Sequence, residues 1–193
     1  MEYKRRKNKL HKFSILLPLF TVIGIGVTTI IFTNYEKSWS FNWSGIRKNI
    51  KDSIAIAEIQ GITSGVVGYS GTSTRDEIKR RKWIMTNATE QELLKLIEYP
   101  SGTVKAIAYE GLIKKENYNE KAELISKSIS DNEFSVYYQS GCLGSKLSVS
   151  EYLMRFVINI DNSYPTSLET NNSYGLTELE KNKILFKYHN SKN

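Results

Sequence analysis

Cysteine and histidine are nearly absent from this chain, and much chemistry leaves with them. Cys142 is the only cysteine, so no intramolecular disulfide can staple the fold. Its ordinary role is that of a small buried apolar residue, with intermolecular pairing as the alternative. His11 and His189 are the only histidines and lie at opposite ends of the sequence. One cysteine and two distant histidines cannot supply the clustered ligands of a zinc site. A Ser-His-Asp triad would have to use His189 beside the C-terminus, and no Gly-x-Ser-x-Gly elbow occurs. The dinucleotide fingerprint and the Gly-Lys-Ser/Thr phosphate loop are missing too. Gly61, Gly65, Gly68 and Gly71 punctuate residues 61–73, which read as a loop with a short extended piece. The expectation is no metal, no cofactor and no enzyme.

Charge is missing from Phe13 to Phe32, which reads FSILLPLFTVIGIGVTTIIF. Twenty residues of helix cover about 30 Å, the thickness of a bilayer's hydrocarbon core. The expectation is a signal-anchor, a transmembrane helix at 13–33 that places the chain in a membrane. Lys4, Arg5, Arg6, Lys7, Lys9 and Lys12 precede it and make residues 1–12 a basic cytoplasmic tail under the positive-inside rule. Tyr35, Trp39, Phe41 and Trp43 follow it, where amphipathic rings favour the headgroup zone. The chain then reads as a single-pass membrane protein with its C-terminal domain extracytoplasmic. A cleaved secretory signal is the competing reading, but the run is long and no Ala-x-Ala site follows. No cysteine stands directly after the run either, so a bacterial lipoprotein anchor is excluded.

The formal charge of +7 is mostly that tail: residues 1–12 carry +5 and the rest of the chain +2. The basicity is therefore a topology signal, and nucleic acid is not the expected partner. Residues 34–52 read as a stalk and 53–190 as one helical domain, large enough for its own core. Sequons at Asn42, Asn87 and Asn171 matter only in a glycosylating host.

Within that domain the punctuation is regular. Thr74 to Glu77, Thr89 to Glu92, Ser148 to Glu151 and Thr177 to Glu180 each match the capping box, in which a hydroxyl and a glutamate satisfy orphan N–H groups reciprocally. They predict helices at 75–87, 90–98, 149–160 and 178–188. Two more fit at Ser101 or Gly102 to Lys114, after the Tyr99-Pro100 stop, and at 117–129, where Tyr118, Ala122, Ile125 and Ile129 form a stripe. Phe134 to Tyr138 alternates over too few residues to decide, and 161–174 reads as an exposed loop. The fold class expected is all-α.

Leu93, Leu94, Leu96 and Ile97 lead through Tyr99-Pro100-Ser101-Gly102 into Val104, Lys105, Ala108 and Leu112. This stretch of about 25 residues resembles the helical hairpin of HEAT-type repeats, with Lys105 in place of the commoner arginine and Gly111 where alanine is usual. The resemblance implies an irregular stack of helical hairpins with an open face, and no activity.

Glu110 stands out as a carboxylate beside Ala106, Ile107 and Gly111, although a solvated helix face is its default reading. Lys79, Arg80, Arg81 and Lys82, followed by Trp83, form the densest basic run outside the tail. Contact with anionic lipid, phosphate or glycan is the functional option for it. Tyr152 and neighbouring tyrosines offer an aromatic surface. The reading is a non-catalytic binding or scaffolding protein of the cell envelope. Its expected partners are the bilayer through Phe13 to Phe32 and an unidentified protein or acidic envelope component, with binding residues Lys79, Arg80, Arg81, Trp83 and Tyr152. An envelope enzyme acting on glycan or peptide through carboxylates alone is the alternative.

Overall fold

The computed structural model describes residues 10–34, 37–67, 75–160 and 174–191. The tail up to residue 9, Tyr35, Gly68, Gly71, the Thr74 cap and the loop at 161–173 with Asn171 lie outside the described residues. The chain forms two compact units, Met1–Ser40 and Phe41–Asn193.

The first unit holds helix α1, Leu10–Asn34, and a 3-10 turn at Lys37–Ser40. The hydroxyls of Thr21, Thr28 and Thr29 donate to carbonyls one turn back, at Leu17 (3.1 Å), Gly24 (2.8 Å) and Ile25 (2.8 Å), so these three groups are met within the helix. Side chains of α1 are described from Leu16 to Ile30, and all of them are exposed. Among the described residues, no helix is long and apolar enough to cross a membrane. The transmembrane anchor expected at 13–33 is corrected accordingly. With it fall the signal-anchor reading and the single-pass placement with an extracytoplasmic domain.

The second unit is built around one buried helix. In order come α2 (Lys48–Gln60), β1 (Ile62–Val67), α3 (Arg75–Asn87), α4 (Glu90–Leu96), α5 (Gly102–Lys114), α6 (Lys121–Ile129), β2 (Ser135–Gly141), β3 (Leu143–Ser148), α7 (Val149–Tyr152) and α8 (Glu178–Asn190). A π-helical turn, Leu153–Ile158, continues α7. Every residue of α5 from Gly102 to Ile113 is buried, because α2, α3, α4, α6, α7 and β2 all pack on it. A helix covered on all sides loses the single apolar stripe of a surface helix. Ala108, the small residue expected at a close helix contact, is fully buried.

The caps account for several boundaries. Thr89 with Glu92 and Thr177 with Glu180 form complete capping boxes, and Ser148 accepts from the Glu151 N–H at 3.0 Å. The expected boundary between residues 52 and 53 falls inside α2, whose Ile50 and Ile54 are core residues. Phe41 and Trp43 pack against Tyr99 with ring centroids 4.8 Å and 5.3 Å away, so these rings belong to the core of this unit.

The all-α class is also corrected, because the unit contains a three-stranded sheet in the order β1-β2-β3. β1 runs parallel to β2, with Ile62 opposite Tyr138. β2 and β3 form an antiparallel hairpin in which Val136 faces Leu147, and both are buried. Gly141 takes φ 58° at the first position of the tight turn, a geometry glycine adopts without strain. The strands are short, polar on one face and glycine-bearing, and pairing with distant segments stabilises them more than local propensity does. Gly102 is required where α5 meets this sheet, since a Cβ there would run into the backbone carbonyl of Ser135.

Candidate functional site

Helix α3 carries two stripes. Ile78, Arg81, Lys82 and Met85 stand at i, i+3, i+4 and i+7 and share one face. They line a cleft of about 510 Å³ with Thr86 and, from α5 and its end, Glu110, Gly111, Lys114 and Lys115. Asp76, Lys79, Arg80 and Trp83 form the other stripe and border a shallower depression of about 390 Å³ with Ser53 of α2. The basic run is thus divided. Lys79, Arg80 and Trp83 stay together near the surface, with Arg80 bonded to the side chain of Gln60. Arg81 turns inward and meets Tyr152.

At the floor of the larger cleft lies Glu110, whose side chain is 3 % exposed. The solvated position expected for it is corrected, because α5 is buried at every residue from Gly102 to Ile113. Its Oε1 accepts from Lys114 Nζ at 2.7 Å, one helical turn on, and its Oε2 accepts from the Tyr152 hydroxyl at 2.8 Å. Arg81 Nε lies 4.0 Å from Oε2, buried and without a hydrogen-bond partner. Its Nη1 reaches the Thr63 carbonyl at 3.4 Å and the Tyr152 hydroxyl at 3.5 Å. Gly111 keeps the packing beneath the cleft tight, as a Cβ there would press on Leu93 at 3.1 Å and on Met85 at 3.4 Å.

Burial works against every charge in this group, and mutual attraction outweighs it. Burial pushes the Glu110 carboxyl up, but Arg81, Lys114 and the bonds from Lys114 and Tyr152 hold it below its ordinary value. Burial likewise disfavours the Lys114 and Arg81 cations, yet Glu110 keeps Lys114 raised and Tyr152 and Glu110 keep Arg81 raised. Burial first, then the Glu110 charge, pushes the Tyr152 phenol well up. The cluster therefore holds a carboxylate, two cations and a neutral phenol at neutral pH.

The sequence-based candidates Arg81 and Tyr152 are brought together, while Lys79, Arg80 and Trp83 belong to the other face. Lys114 and Lys115 were missed. The signal available for them was Lys114 at i+4 from Glu110, a spacing that pairs side chains on any helix. Thr63, whose hydroxyl donates to Glu77 at 2.9 Å and whose carbonyl accepts from Arg81, carried no signal, because residues 61–73 read as a loop with only a short extended piece. Among the described residues no group of three His, Cys, Asp or Glu side chains gathers as a metal site. No protein-family model, no curated protein and no solved structure matches the chain.

Proposed function

We propose that this protein is a non-catalytic binding module whose ligand site is the cleft between α3 and α5 and whose ligand is acidic. The observation that supports this reading is the charge balance of the cleft: Arg81, Lys82, Lys114 and Lys115 line it against the single carboxylate of Glu110. Glu110 has both oxygens engaged and is held ionised, and Tyr152 is held neutral, so neither is poised to exchange a proton near neutral pH. The surplus of cations attracts an anion without any proton transfer.

Retention on immobilised polyglutamate and polyphosphate under rising salt tests the reading. Lys82→Glu with Lys115→Glu should abolish retention, whereas Lys79→Glu with Arg80→Glu, on the opposite stripe of α3, should leave most of it. Equal losses in the two variants would remove the cleft as the site. Retention should also weaken steeply with salt, as exposed cations act within a Debye length of about 8 Å at physiological ionic strength.

A further inference from the structure

We infer that the acidic group taken by the α3–α5 cleft is a dianionic phosphomonoester on a small carrier. This rests on the cleft being the ligand site. Four cations against one carboxylate give the cleft a formal surplus of +3, which a dianion leaves near +1 and a single carboxylate near +2. The cations come from two separate elements, Arg81 and Lys82 from α3 and Lys114 and Lys115 from the end of α5. They therefore converge on one volume instead of lying along a track. A tetrahedral group with three acceptor oxygens at one centre meets ammonium groups arriving from several sides. A carboxylate presents two oxygens in one plane and is better matched by a single guanidinium fork.

The accessible cations here are lysines. Lys82 is exposed and the Lys114 side chain is 42 % exposed, while Arg81, with 21 % of its side chain exposed, acts from behind. The Arg81 Nε–H is committed to no hydrogen bond, so its charge is only partly screened by Glu110 at 4.0 Å. Ile78 and Met85 supply an apolar wall, and no ring stands among the lining residues. The carrier is thus held by aliphatic contact and not by stacking. A volume of about 510 Å³ exceeds a lone phosphate and falls within the size of small-molecule pockets.

Isothermal titration of the full chain with O-phosphoserine, succinate and a tetraglutamate peptide, at pH 5.0 and 7.5 in low salt, tests this. A phosphomonoester gains its second charge near pH 6, while the side chains of tetraglutamate, ordinarily at about 4.3, are mostly ionised at both values; succinate, whose second carboxyl also ionises between the two, is compared at pH 7.5 alone. O-phosphoserine should bind about tenfold more tightly at pH 7.5 than at pH 5.0, and Lys82→Met with Lys115→Met should weaken it at least tenfold with an unchanged thermal melt. Glu110→Gln raises the cleft charge by one and should tighten it. A phosphoserine hexapeptide, run in parallel, should bind no better than the free amino acid if the carrier is small. Succinate at pH 7.5, or tetraglutamate at both pH values, binding as tightly as O-phosphoserine would overturn the phosphomonoester and leave the acidic-ligand site standing. No binding by any probe would overturn both.

Discussion

Glu92 and Glu110 are buried carboxylates on neighbouring helices, and their surroundings are completed differently. Glu92 Oε1 accepts from the Arg47 N–H and Nε, each at 2.9 Å, and Oε2 accepts from Arg47 Nη2 and the Thr89 N–H, each at 2.8 Å. That is a guanidinium fork plus two backbone donors, and it ties the start of α2 to the start of α4. Glu110 has one bond to each oxygen, with Arg81 held at 4.0 Å and Lys114 open to the cleft. The first carboxylate is saturated and holds chain segments together. The second is outnumbered by cations that face water. Saturation marks a structural pair, and the surplus charge beside the cleft is what the proposed binding site rests on.

That contrast should show first in stability. Glu92→Ala strands two backbone N–H groups and the Arg47 fork, and should cost about 3 kcal/mol. The midpoint of thermal unfolding should fall by roughly 6–12 °C at this chain length. A loss near zero would mean that the fork and the cap do not support the junction.

Acid unfolding sharpens the same point. Arg47, acting against burial, and the bonds from Thr89 lower the Glu92 carboxyl from 4.5 to about 2. A carboxyl lowered in the folded state contributes stability that is complete above pH 4.5 and is lost as the pH falls toward 2. The wild type should therefore lose on the order of 2 kcal/mol across that window, and denaturant melts of Glu92→Ala should show a flatter acid limb. Glu110 is lowered as well, so flattening should be partial. An unchanged slope would show that Glu92 gains nothing from ionisation.

The smallest effect belongs to the cleft. Glu110→Gln retains an acceptor for Tyr152 and leaves Lys114 able to turn into water, so it should cost only about 1 kcal/mol by chemical denaturation. A cost equal to that of Glu92→Ala would break the comparison and make Glu110 a structural residue.

Local chemistry made much of the helical part legible. Thr89 and Thr177 close capping boxes, Pro100 stands between α4 and α5, and helix bounds near 75–87 and 102–114 agree with the sequence pattern. Each of these features depends on residues within a few positions of one another. The pairing of β1 with β2 was not legible, because Ile62 and Tyr138 lie 76 positions apart and no short window contains both partners; the β2–β3 hairpin is local, but Phe134 to Tyr138 alternates over too few residues to read as a strand. The basic run at 79–82 could be read as a cluster. Its division could not, since only the packing of α3 against α5 decides that Arg81 turns in and Lys79 turns out. Glu110 is the sharpest case. Its own neighbours, Ala106, Ile107 and Gly111, say only that it lies on an apolar helix. Its burial, its bond to Tyr152 and its place beneath four cations follow from α5 being enclosed on every side. That enclosure is a property of the assembled core and of no segment alone.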